Sequence, residues 1–285
     1  MPLIELRDIT KSFGDNRVLQ GINLQVDAGE TLVVLGRSGI GKSVTLLIIT
    51  GLLAPDSCQI FLQDQDITRL RERDLIPVRR RFSYVFQSGA LFDSLTVFEN
   101  VAFPLREHTD LPEAMIRDIV LMKLNAVGLR GAASLRIAEV SGGMARRIAL
   151  ARAIALDPEL IMYDEPFAGL DLISMGVAAK LIRTLNDVTG ATSLVVSHDV
   201  PECMAISDWV VLMAAGGRLV AQGTPKELMD STDPEVRQFV RGEPDGPVKF
   251  HYPAPELDSD FGLAAAGGAA GAGAGATGAG AGAPR

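Results

Sequence analysis

An α/β fold with a largely parallel sheet is what this 285-residue chain predicts, on three observations. Apolar runs of strand length recur at TLVVLG (31–36), SYVFQ (83–87), ELIMYDEP (159–166) and TSLVVSHD (192–199). Longer amphipathic segments separate them, as when helices cover both faces of a buried parallel sheet. The first run leads straight into a glycine-rich loop, GRSGIGKS (36–43), whose pattern is that of a phosphate cradle.

The elements follow in order. IELRDITKSFG and VLQGINLQVDAGE read as antiparallel strands with a turn at 14–16. Strand 31–36, the loop and the apolar helical run VTLLIITGLL come next. From about 89 to 157 the pattern is helical, so an inserted helical subdomain is expected there. No internal repeat is visible, and residues 1–245 read as one domain.

A short extension occupies 246–263, and 264–285 is an alanine-glycine tail expected to be disordered, because it has no large side chain to bury. Within DGPVKFHYPAPEL (245–257) the prolines oppose a helix, while Val248, Phe250 and Tyr252 alternate. That segment is either a strap on its own domain or an arm reaching a partner subunit.

Composition narrows the function. A formal net charge of −8 argues against a nucleic-acid partner. Arg79, Arg80 and Arg81 form the compact basic run, expected to be a solvated face or a partner contact. Two cysteines, Cys58 and Cys203, have no metal-ligand spacing and suit a reducing compartment. The opening MPLIELRDITKSFG does not read as a secretory signal, and no apolar run reaches the roughly 20 residues of a membrane span.

The chemistry resides in a few short segments. Around 36–44 the candidate nucleotide contacts are Gly36, Arg37, Ser38, Gly39, Ile40, Gly41, Lys42, Ser43 and Val44. The glycines let N–H groups turn inward, and the following helix adds its dipole. Lys42 is expected on the β- and γ-phosphates and the Ser43 hydroxyl on Mg²⁺. LIMYDE places Asp164 and Glu165 at a strand end, the first for the Mg²⁺ shell and the second to polarise the attacking water. Gln87, at the end of SYVFQ, can ligate Mg²⁺ and contact water through its amide. His198 is either a structural histidine or a sensor of the γ-phosphate.

VSGGM adds a second cradle, with Ser141 as cap and Gly142 and Gly143 exposing N–H groups at a helix start. One chain needs one cradle for one nucleotide, so the spare suggests that it serves a second copy.

Together the P-loop (Walker A), Gln87, SGG, the DE pair (Walker B) and His198 resemble an ABC-transporter nucleotide-binding subunit over about residues 1–245. The resemblance implies a P-loop NTPase core, ATP and Mg²⁺, and a head-to-tail homodimer in which 141–143 of each subunit closes on the other's ATP. It also implies adenine stacking on Phe13 and a D-loop role for Asp171 in FAGLD. FQSGALF, PLREHTDLP, SGGMARR and DGPVKFHYP are further similar to the ATPase subunits of Mla-type phospholipid transporters, which maintain outer-membrane lipid asymmetry.

The general signature has Gln where this chain has Met144, whereas the Mla-type signature shares SGGM. The Mla likeness implies integral-membrane permease subunits, a STAS-domain accessory protein, a periplasmic lipid-binding protein, and a peripheral place on the cytoplasmic face of the bacterial inner membrane. The alternatives are another ABC importer or exporter, or a soluble non-transport ABC ATPase.

Overall fold

The computed structural model describes residues 2–248; the extension beyond 248 and the alanine-glycine tail lie outside the described residues. The chain begins with β1 (Pro2–Phe13) and β2 (Asn16–Asp27), joined antiparallel as expected. Then come β3 (Thr31–Leu35), α1 (Lys42–Ile49), β4 (Ser57–Leu62), β5 (Gln65–Asp66), α2 (Glu72–Arg79) and β6 (Phe82–Val85). Three helices follow, α3 (Val97–His108), α4 (Glu113–Ala126) and α5 (Gly142–Ala153), before β7 (Leu160–Asp164). The last part contains α6 (Leu172–Thr189), β8 (Thr192–Ser197), α7 (Val200–Ile206), β9 (Trp209–Ala214), β10 (Arg218–Gly223), α8 (Pro225–Met229) and α9 (Pro234–Arg241).

Two sheets result. β10-β9-β3-β8-β7-β6 is parallel except for the antiparallel edge strand β10, and β2-β1-β4-β5 is antiparallel. Every residue of β3 and β8 is buried, which explains their unbroken apolar character. Alternation along the strands divides them between two cores. Val33, Leu35, Ile161, Tyr163 and Val195 face a core shared with the helical block. Leu32, Val34, Leu160, Met162, Leu194 and Val196 face the core under the antiparallel sheet.

Strands β4, β5, β9 and β10 go beyond the sequence expectation. β9 is a short apolar run without flanking motif residues, and β4 and β10 are strands of mixed polarity. The basic run is also corrected. Arg79 donates to the carbonyls of Thr50 (2.9 Å) and Gly51 (3.1 Å) and pairs with Glu72, and Arg81 forms a two-pronged pair with Glu159 at 2.8 and 2.7 Å. Two of the three arginines therefore fasten the chain to itself, and Arg80 is left exposed.

The helical block is anchored by one fully buried amide. Asn100 accepts from Phe92 N–H at 2.8 Å and donates to the carbonyls of Phe92 (3.1 Å) and Thr96 (3.0 Å), binding the loop after β6 to α3. Replacing it leaves buried backbone groups without partners, so Asn100→Leu should lower the unfolding free energy by about 2 kcal/mol. Denaturant titration checks this, and an unchanged midpoint would contradict it.

Candidate functional site

Three adjacent strands, β3, β8 and β7, end side by side, where open parallel sheets bind ligands. The loop after β3 is shaped by glycine at two positions. A Cβ on Gly36 would sit 2.3 Å from Ile40 Cδ1 and 2.6 Å from the Met213 carbonyl. Gly41 takes φ 109° at the start of α1, and a Cβ there would meet the Leu19 and Val18 side chains at 2.8 and 2.9 Å. The loop thus lies tight on the protein at both ends, while Arg37, Ser38 and Gly39 are exposed and Ile40 and Val44 half-buried.

Lys42 is buried at 4% exposure. Its ammonium donates to the carbonyls of Gly36 (2.7 Å) and Arg37 (2.9 Å) and lies 3.1 Å from Glu165 Oε1. Next to it the Ser43 hydroxyl donates to Asp164 Oδ1 at 2.7 Å. The first two residues of α1 therefore clasp the two acids that end β7.

Glu165 has left-handed backbone, φ 47°, strained for a residue with a side chain, and its N–H is held by the Val196 carbonyl at 2.9 Å. That turn directs the carboxylate toward Lys42 on one side and His198 on the other. His198 Nδ1 lies 2.8 Å from Glu165 Oε2, and its side chain stays 48% exposed.

The structure thus brings Lys42, Ser43, Asp164, Glu165 and His198 together. Gln87 stands outside this group among the described residues: it is exposed beyond the end of β6, and its carbonyl, not its amide, is engaged, by Arg146. Phe13 ends β1, half exposed, with Lys11 Nζ 5.4 Å from its ring centre.

Ser141 caps α5, its hydroxyl accepting from Met144 N–H at 3.3 Å, and Ser141 and Gly142 are exposed. The Met144 side chain packs on the core, a packing role that the sequence did not disclose. Asp171 caps α6. It accepts from the Ser174 hydroxyl (2.6 Å) and from the N–H groups of Ser174 and Ile173 (3.0 Å each), bonds that hold its carboxyl below the usual range. A Cβ on Gly143 would sit 3.2 Å from that same Ser174 hydroxyl, so the space beside Gly143 is tight for a side chain.

The donors suit the expected groups. The Ser43 hydroxyl and Asp164 carboxylate form an all-oxygen pair, as a small hard cation such as Mg²⁺ requires. A buried ammonium beside inward-turned loop backbone suits phosphate.

Four contributors were not singled out from sequence. Tyr84 donates its hydroxyl to Asp164 Oδ2 at 2.9 Å, and the Ser197 hydroxyl lies 3.3 Å from Glu165 Oε2 and 3.0 Å from Asp199 Oδ2. Arg146 reaches the carbonyls of Phe86, Gln87 and Ala168, and Arg152 those of Gly89 (2.7 Å) and Ala90 (2.8 Å). Burial draws both guanidinium pKa values down. Tyr84 and Ser197 lie within the quoted runs SYVFQ and TSLVVSHD, but no spacing rule reveals a contact that crosses between strands.

Comparison with known proteins places this geometry. A family model described as ABC transporter matches residues 19–168. The chain is 54% identical over 252 residues to the intermembrane phospholipid transport system ATP-binding protein MlaF of Haemophilus influenzae, covering 88% of this chain and 95% of that protein. It is 50% identical over 260 residues to the protein of the same name from Escherichia coli K12, covering 90% and 96%. Among solved structures it is similar to a dimeric post-hydrolysis state of an ATP-binding cassette bound to ADP and Pi, at 28% identity and TM-score 0.71, covering 78% of this chain and 98% of that one.

Because Arg146 ties the loop after β6 to the 167–170 loop, Arg146→Ala should speed amide hydrogen exchange in both segments while the β3 loop is unaffected. Unchanged protection at 86–90 and 167–170 would show that these hydrogen bonds do not hold the loops.

Proposed function

The chain belongs to the ABC transporter family as an ATP-hydrolysing subunit, and from that premise we propose that each of its sites is half of one completed by a second copy. The observation that carries the reading is the clasp of Lys42 and Ser43 on Glu165 and Asp164, with a separate helix terminus at Ser141 left exposed. In this reading the loop residues Gly36, Arg37, Ser38, Gly39, Ile40, Gly41 and Val44 surround the phosphates of ATP with backbone N–H groups. Lys42 neutralises phosphate charge, and Phe13 offers its exposed ring to the adenine.

Ser43 and Asp164 would hold Mg²⁺, with the Gln87 amide as a further ligand. The ion supplies charge neutralisation and orientation of the phosphates when bound. Glu165 accepts a proton from the attacking water, and His198, positioned by Glu165, faces the terminal phosphate. Ser141, Gly142 and Gly143 of the second copy complete the site. The dimeric state of a cassette of similar fold supports the pairing of two copies.

Phospholipid is the transported class, on the strength of extensive identity to the intermembrane phospholipid transport proteins. Among the described residues no helix is long and apolar enough to cross a membrane, so lipid movement is assigned to permease subunits in the bilayer. We place the dimer on the cytoplasmic face of the bacterial inner membrane. A STAS-domain accessory protein and a periplasmic lipid-binding protein complete a system that maintains outer-membrane lipid asymmetry.

The face offered to the permease is a groove of about 380 Å³ between α2, β6 and the ends of α3 and α5, lined by Ile76, Arg80, Tyr84, Pro104 and His108. The domain assignment follows: residues 1–245 form the ATPase, with its helical block at about 89–157 carrying the signature.

Glu165→Gln in the assembled transporter should reduce ATP turnover by at least about 10²-fold, the loss common for a general base. It should leave ATP binding intact and trap ATP-bound dimers in light scattering. Near-normal turnover would remove Glu165 from this role. Lys42→Ala should fail to dimerise on ATP, because phosphate charge is no longer neutralised. Identical ATP-driven dimerisation of the two variants would contradict that separation.

A further inference from the structure

Asp164 receives a hydrogen bond on each oxygen. The Ser43 hydroxyl takes Oδ1 at 2.7 Å, and the Tyr84 hydroxyl takes Oδ2 at 2.9 Å. The second comes from the neighbouring strand. Tyr84 lies opposite Met162 in the β6–β7 register, so its phenol reaches diagonally along the sheet to the residue two positions further on.

An aspartate carboxylate rotates in a broad χ2 well, so its own rotamer does not fix the plane in which its oxygens face the phosphate loop. Tyr84 does. Its ring is held against Phe86, with centroids 4.3 Å apart, and also forms part of the groove wall.

We propose that Tyr84 is a positioning residue for the magnesium site, holding Asp164 Oδ2 so that Oδ1 is presented beside Ser43. Partners of this kind outside the ligand shell orient ligating carboxylates, and their loss commonly weakens metal binding at least tenfold. The proposal rests on the assignment of Asp164 to the Mg²⁺ shell.

The test uses the full chain carrying Glu165→Gln, so that ATP is bound without turnover. The dissociation constant for ATP is measured by calorimetry in saturating Mg²⁺ and again in EDTA, with and without Tyr84→Phe. Phenylalanine keeps the ring and removes only the hydroxyl. The expected result is an affinity about tenfold weaker in Mg²⁺ and within about twofold of the parent in EDTA.

Equal weakening in both conditions would mean a general structural loss, and unchanged affinity in Mg²⁺ would mean that only the ring matters; each overturns the proposal. A parent protein whose ATP affinity does not depend on Mg²⁺ would instead overturn the assignment of Asp164, and the proposal with it.

Discussion

The chemistry of this chain depends on the junction where the first two residues of α1 meet the last residue of β7 and its successor. Ser43 meets Asp164 and Lys42 meets Glu165, across the end of the intervening strand β8. Each contact joins groups that would be costly to bury alone: an ammonium at 4% exposure and a carboxylate beside it. Parallel pairing sets the distance, because β3, β8 and β7 run the same way and end at one level. His198 follows the middle strand and so falls between the two motifs without any special loop.

Around that junction the rest of the molecule acts as support. The alternating faces of the central strands press one core against the antiparallel sheet and the other against the helical block. Asn100 and Arg146 then bind the loop after β6 to α3 and α5, so the segment containing Gln87 is held by its backbone while its side chain stays exposed. That arrangement suits a residue that joins the site only when the nucleotide and a partner are present.

The sequence made the catalytic segments legible because each has a local cause. The phosphate loop needs glycine at 36 and 41 for steric reasons, and the acids need a buried strand to end on. The same local logic placed Ser141 as the cap of α5. What escaped the sequence was lateral. Tyr84 meets Asp164 from another strand, and Arg79 and Arg81 pair within the chain although a basic run suggests solvent or a partner. Strands β4 and β10 escaped because mixed polarity hides a two-residue period.

In the proposed dimer each ATP is held between the phosphate loop of one chain and the Ser141 terminus of another. Ser38 and Ser141 are both exposed, so each can be replaced by cysteine on separate chains that carry Glu165→Gln. The decisive measurement is disulfide cross-linking of a mixture of Ser38→Cys and Ser141→Cys chains, with the Cys58 and Cys203 thiols replaced by serine. The expected product is a mixed cross-linked dimer that forms with ATP and Mg²⁺ and not without them. Absence of that product with ATP, or an internal disulfide in a single chain bearing both cysteines, would contradict it.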